Sequence, residues 1–449
     1  MKRVIICAPT GMSLRHLLAP PELLRGLNER FRVKILSYVK VRGEKRYHNV
    51  VFGDLVQKWF VRALCSVLNR LTSYIRISST VDFLVQNDLG EPLRQRARLS
   101  DLTTFRLFLN LIGRSSVINQ ATKIAVRILT LVTARVQELL DIMVIIEPSE
   151  IQSKSMALVC NQHQIPVVVW PLGTDNLRHG YLHFKCDLLL AWGREQSEKS
   201  RSYQKAFCEN SLIVGNFLHH RYTCVSKLKR ESSLSVDSKI KNKYFVYGAM
   251  LGSALPNQFD VVKAISRMLE IIDPSVNLVV RLLPLCHERA EWERIEREAS
   301  NIILTETASG AFDKRYVVVD FDISEMEKEI DEYANLLAGS LGVIAQYPPT
   351  VLIDAIGLGV WPVLLFIRDD NGSPVAYEKV FASNLFRNPQ FQGYNPIGTI
   401  PDLDAFIKSC ISDPAAPIPD HCMRLYKYIA SEIDSPSAIP RVLNSFDIV

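Results

Sequence analysis

The chain has 449 residues, 48% of them hydrophobic and 22% charged. That is the make-up of a globular protein with a large core, too long for one ordinary domain and too apolar for extended disorder. The net charge of +6 conceals a split: residues 1–230 carry 34 Lys and Arg against 17 Asp and Glu, and the remainder carries 19 against 30. Opposite charge implies two units with different partners. A basic half suits an anionic membrane face, a phosphorylated lipid or an acidic polymer. Nucleic acid is not expected, because zinc-finger spacing, an aromatic RNP-type strand and a dense Lys/Arg run are all missing.

The first residues, "MKRVIICAPTG", are basic and then apolar, but the apolar run is short and Arg15 and His16 soon break it. This reads as a first strand rather than a signal peptide. "SLRHLLAPPELLRGLNER" has near-helical apolar spacing and "FRVKILSYV" is a second strand, so a βαβ unit opens a parallel sheet. Residues about 50–140 break the rhythm with basic, aromatic-containing, helix-like segments. Their arginines at 62, 70, 76, 94, 96, 98, 106 and 114 lie among leucines. They fit amphipathic helices with snorkelling arginines, or a surface that docks on a membrane or an acidic lipid acceptor. The strand–helix alternation then resumes through "DIMVIIEP", "SEIQSKSMALVCNQHQ", "IPVVVWPLGTD", "CDLLLAWG", "REQSEKSRSYQKAF" and "SLIVGNFL", the order of a doubly wound fold.

Residues 223–242 are polar and rich in Ser and Lys and read as a linker. A second sheet starts at "KYFVYGAM". It continues through helix "QFDVVKAISRMLEII", strand "NLVVRLLP", helix "ERAEWERIEREAS", strand "RYVVVDF", helix "EMEKEIDEYANLLAGS" and strand "LGVIAQ". A buried helix in "YPPTVLIDAIGLG" and a strand in "WPVLLFI" complete it. The expected domains are therefore 1–225, with a helical insert at about 50–140, a linker at 226–242, and 243–449. No run of the roughly 18 residues that cross a bilayer is uncharged and apolar throughout, since the uncharged stretches 155–174 and 333–353 are broken by polar residues and prolines. The nine cysteines are scattered without a C-x-x-C pair, which argues for a reducing compartment rather than a zinc ribbon or disulfide framework.

"YANLLAGSLGVIAQYPPTVLIDAIGLGVWPVLL" resembles the C-terminal donor motif of GT-B glycosyltransferases. Thr350 matches the hydroxyl at the helix start, Asp354 stands where the family commonly has Glu, and Gly359 and Pro362 match the closing turn with one extra residue between them. "VVRLLPL" resembles the strand end of glycerophosphotransferase-like and surface-polysaccharide members through Arg281 and Pro284, with Leu283 in place of their histidine. "VVWPLGTDN" is similar to the Gly-Ser/Thr-Asp loop of some members, and "DLLLAWGREQSEK" with "SLIVGNF" to the stretch before their crossover. The resemblance implies an α/β fold of two Rossmann-like doubly wound domains facing a cleft, and an enzyme that uses a nucleotide-sugar donor.

The residue chemistry fits that donor. A helix N-terminus offers unpaired N–H groups and partial positive charge to a diphosphate. Thr350 can cap that helix or reach a phosphate. Asp354, one turn on, can accept from both ribose hydroxyls, or can simply favour the helix dipole. Arg281, at a strand's C-terminal end, can offset charge on a leaving diphosphate or form a surface ion pair. Gly248, in "VYGAMLGSAL", would let backbone approach the phosphates, or belong to a plain loop. A base for the acceptor hydroxyl is sought in the first domain, with His16, Glu147 and Asp175 competing. No metal is assigned: the remaining histidines lack ligand spacing, and "RDDNG" at 368–372 reads as a turn.

The leading expectation is a metal-independent glycosyltransferase of polysaccharide biosynthesis. It would move a sugar to a glycan or lipid-linked acceptor, in the cytoplasm or peripherally at the inner membrane face. Within the same fold, a nucleotide-sugar 2-epimerase or a CDP-polyol phosphotransferase is the alternative, the latter disfavoured by Leu283. A non-catalytic scaffold is the third reading.

Overall fold

The computed structural model of the chain describes residues 2–18, 21–37, 40–42, 50–54, 141–148, 151–171, 184–203, 208, 210–216, 218–219, 221–222, 240, 242–249, 257–282, 288–305, 320–346, 350–365, 393–430, 439–440 and 443. The chain forms two compact units. The first comprises Met1–Phe217, Val317–Ile323 and Ile429–Val449, the second Leu218–Tyr316 and Ser324–Tyr428. Both are doubly wound α/β units, the fold class that the sequence resemblance implies.

In the first unit the strands are β1 (Lys2–Cys7), β2 (Phe31–Ser37), β3 (Lys40–Arg42), β4 (Val50–Asp54), β5 (Ile142–Ile145), β6 (Val167–Val169), β7 (Leu188–Ala191) and β8 (Ser211–Ile213). The helices are α1 (Gly11–Leu18), α2 (Pro21–Arg30), α3 (Ile151–Gln162) and α4 (Arg194–Tyr203). Seven strands make one parallel sheet, β4-β2-β1-β5-β6-β7-β8. The chain moves outward from β1 on one side, then returns to its other side with β5, so the direction reverses between β1 and β5. Strands covered on both faces are apolar almost throughout. Val4, Ile5, Ile6 and Cys7 are all buried, and they align with Val33 to Leu36 and with Ile142 to Ile145. At the opposite end Asp141 accepts from the Arg3 backbone N–H at 2.7 Å and from its Nε and Nη2 at 3.1 and 2.9 Å.

The apolar stretch after β1 is two helices rather than one. Pro21 opens α2, where its missing N–H costs nothing. Residues 50–54, expected within a helical insert, form β4 on the sheet edge. The rest of that insert lies outside the described residues, as does the expected linker except at 240 and 242. β3 pairs in a separate two-stranded ribbon with β12 (Asp320–Asp322), setting Asp320 opposite Lys40 and Asp322 opposite Arg42.

The second unit holds β9 (Tyr244–Gly248), β10 (Asn277–Arg281), β11 (Ile302–Thr305), β13 (Val343–Ala345), β14 (Pro362–Leu365) and β15 (Pro396–Ile397). Its helices are α5 (Gln258–Ile272), α6 (Arg289–Glu298), α7 (Ile323–Ala338), α8 (Thr350–Gly357), α9 (Ile400–Ser412) and α10 (Asp420–Ile429). The parallel sheet runs β11-β10-β9-β13-β14-β15, reversing between β9 and β13. Helices α5, α6 and α9 contribute to one core cluster with the strands. Phe245, Tyr247, Trp292 and Phe406 anchor the core. Among the described residues no helix is long and apolar enough to cross a membrane.

Candidate functional site

In open parallel sheets ligands bind beyond the C-terminal strand ends, where strand order reverses. In the second unit that place lies at the ends of β9 and β13. Gly248 ends β9 and sits in register with Arg281, which ends β10. The Ala249 N–H donates to the Arg281 carbonyl at 3.1 Å. Just after β13, Gln346 accepts from the buried Tyr247 hydroxyl at 2.6 Å and donates to Asn257 at 3.2 Å. Gly248 has a packing role, because a Cβ there would meet Val351 of α8 at 3.0 Å.

Helix α8 carries Asp354 into this region. Val351, Leu352, Ile353, Ala355 and Ile356 are buried with it, so the helix is apolar on nearly all sides. Asp354 is itself only 7% exposed, and a carboxylate so enclosed requires donors. Among the described residues it has two: His219 Nε2 lies 2.5 Å from Oδ1, and the Tyr333 hydroxyl donates to Oδ2 at 2.7 Å. Burial, then the charge of Asp354, pushes the Tyr333 phenol up, so it stays protonated and donates.

Each donor is supported in turn. His219 Nδ1 is 3.1 Å from the Tyr426 hydroxyl, and the two rings stack at 5.4 Å. Tyr426 can lie against α8 because residue 357 is glycine, where a Cβ would meet the ring at 2.7 Å. Tyr222 packs edge-on against Tyr333 at 5.5 Å. The Arg281 guanidinium carbon stands 4.5 Å from the centre of the Tyr333 ring, within cation–π range. Next to His219, Arg221 pairs with Asp331 at 2.8 Å. The result is a connected path, Arg281–Tyr333–Asp354–His219–Tyr426, that places a cation and a fixed carboxylate beside the reversal point.

Of the four expected donor residues, the structure links Gly248, Arg281 and Asp354. Thr350 begins α8 and is exposed. His219, Tyr333 and Tyr426 had no sequence signal, since they lie 135, 21 and 72 residues from Asp354 with no motif between them. In the first unit Glu147 follows β5 and accepts from Thr10 Oγ1 at 2.9 Å, beside the reversal between β1 and β5. Thr10 is held by Ser13, whose hydroxyl donates to the Thr10 carbonyl at 2.9 Å. His16 lies instead against Trp192, ring centres 5.8 Å apart. Asp175 and the 368–372 turn lie outside the described residues. Among the described residues no group of three or more His, Cys, Asp or Glu side chains could hold a metal.

Two doubly wound units with Rossmann-like sheets define the class of protein. No protein-family model matches the chain, and no curated protein matches it in sequence. Solved structures are similar to it at low identity. UDP-GlcNAc 2-epimerase from Neisseria meningitidis, bound to UDP-GlcNAc, is 11% identical with a TM-score of 0.44, over 99% of this chain and 98% of that one. The Methanocaldococcus jannaschii UDP-GlcNAc 2-epimerase, in complex with UDP-GlcNAc and UDP, is 13% identical with a TM-score of 0.48, over 99% of each chain. The spinosyn rhamnosyltransferase SpnG, complexed with thymidine diphosphate, is 11% identical with a TM-score of 0.42, over 99% of this chain and 100% of that one. Identity this low transfers no activity from one chain to another.

Proposed function

We propose that the chain is an enzyme acting on a nucleotide sugar, with the nucleotide diphosphate held by the second unit. The observation that carries the proposal is the path from Arg281 through Tyr333 to Asp354 at the ends of β9, β10 and β13. Arg281 supplies positive charge for a diphosphate. Asp354, already oriented by His219 and Tyr333, has lone pairs left on both oxygens to accept from ribose hydroxyls. Thr350 offers a hydroxyl at the start of the same helix. The reaction's base is proposed among His16, Glu147 and Asp175.

Two reactions fit this class. Epimerisation at the sugar C2 is tested first, with UDP-GlcNAc, the nucleotide sugar named for the Neisseria and Methanocaldococcus enzymes. Glycosyl transfer comes second, favoured by the basic segment at about 50–140 as an acceptor face. One experiment separates them. The chain is incubated with UDP-GlcNAc in D₂O and the sugar is followed by NMR. Deuterium at C2 with a second sugar isomer supports epimerisation. Release of UDP that depends on added glycan or lipid-linked acceptor, without exchange at C2, supports transfer. If neither occurs and no UDP-, GDP-, CDP- or TDP-sugar binds, the proposal fails.

A further inference from the structure

The sequence places Cys186 and Cys208 far apart, with nothing to join them. The fold sets them opposite each other as a parallel bridge, in register with the β7–β8 ladder that begins at Leu189 and Ser211. Neighbouring strands are about 4.8 Å apart, and a disulfide tolerates Cα separations of about 4.4–6.8 Å. Both residues are 2% exposed. Each thiol also donates to the carbonyl two residues ahead, Cys186 to Leu188 at 3.1 Å and Cys208 to Asn210 at 3.2 Å. These bonds turn the two sulfurs the same way along their strands.

We infer that Cys186 and Cys208 are the site of a reversible intramolecular disulfide that fastens the edge strand β8 to β7. Reactivity is divided between the two thiols. The neighbouring Cys186 side chain draws the Cys208 thiol below its ordinary range, whereas burial drives Cys186 above it. Elsewhere burial alone pushes Cys160 up to about 12, and it is the main cause that takes Cys410 and Cys422 there too. Cys208 is assigned as the attacking thiol, which gives up its proton as it reacts, and Cys186 as the resolving thiol.

The oxidant proposed is hydrogen peroxide. Cys208 gives up its proton, its sulfur attacks one peroxide oxygen and the O–O bond breaks. The departing hydroxide takes up the proton that Cys208 released and becomes water, leaving Cys208 as a sulfenic acid. The Cys186 sulfur then attacks the Cys208 sulfur, losing its proton as the S–O bond breaks and a second water leaves. Two electrons pass from the two thiols to one peroxide. A dithiol reductant reverses the change, consistent with a site that is reduced at rest and oxidised only transiently.

The test uses the full chain in native buffer. Protein is treated with hydrogen peroxide, free thiols are blocked with N-ethylmaleimide, and tryptic peptides are mapped by mass. Cys186 falls in peptide 186–194 and Cys208 in peptide 206–221, each with a single cysteine. The expected result is one linked species of these two peptides, lost on reduction with dithiothreitol and absent from Cys208→Ser. Recovery of both cysteines as separate alkylated peptides, while other cysteines oxidise, would overturn the inference. So would linkage that forms equally well in urea, since the fold would then contribute nothing. The wild-type map decides the matter even if the variant fails to fold.

Discussion

Asp354 is a carboxylate enclosed by aliphatic side chains, and its position depends on two donors from distant parts of the chain. Removing one donor leaves a buried acceptor short of a partner, which costs about 1–3 kcal/mol. Tyr333→Phe is therefore expected to lose about that much stability in urea denaturation, since it deletes only the hydroxyl at 2.7 Å from Oδ2. Asp354→Ala removes the common partner of His219 and Tyr333 and is expected to cost about 3–5 kcal/mol. If Asp354→Ala is instead as stable as the parent, the cluster is not what holds α8. A different residue pair sets a pH dependence. Hydrogen bonding to Arg3 holds the Asp141 carboxyl below its usual range. A carboxylate depressed in the folded state stabilises above its unfolded value of about 3.9 and loses that effect as pH falls through the native value. Asp141→Asn should then lower the thermal midpoint at pH 7, and the deficit should shrink in acid below about pH 4. A deficit that persists unchanged at low pH would contradict this.

At the scale of the element, α8 shows what sequence conveys and what it does not. Its apolar content and its closing glycine are visible in "TVLIDAIGLG". Gly359 has a φ of 77°, its N–H donates to the Ile356 carbonyl at 3.0 Å, and the Val360 N–H donates to that of Ala355 at 2.9 Å. This is a Schellman ending, which favours glycine for its left-handed backbone. Gly357 looks similar in sequence but serves a different purpose: it leaves room for the Tyr426 ring. Gly357→Ala should cost about 1–3 kcal/mol through overpacking, although alanine is the better helix former. Urea denaturation decides the sign, and a more stable variant would contradict the contact. The strands differ in the same way. β1 and β9 are largely apolar and β2 alternates apolar residues with Arg32 and Lys34, and all three were legible. β11 was not, because "IILT" is short and sits partly exposed on a sheet edge. The separate helix that starts at Pro21 was not foreseen either, although proline at a first helical position is a start signal. The residues that surround Asp354 were invisible because tertiary packing, not local pattern, brings them there.

Across the whole molecule, the alternation of strands and helices was enough to predict two doubly wound α/β units, and both sheets reverse direction as such folds do. Chain order held no sign that residues 317–323 and 429–449 belong with the first unit. Such long-range returns depend on contacts between segments hundreds of residues apart. The central claim is that the second unit binds a nucleoside diphosphate beside Arg281 and Asp354. Calorimetric titration of UDP, GDP, CDP and TDP into the full chain tests it most directly, with Arg281→Ala as the comparison. The account predicts that one of the four binds at a single site, and that Arg281→Ala weakens it at least about tenfold, or 1.4 kcal/mol. Failure of all four to bind a folded parent chain, or equal affinity in Arg281→Ala, would contradict it.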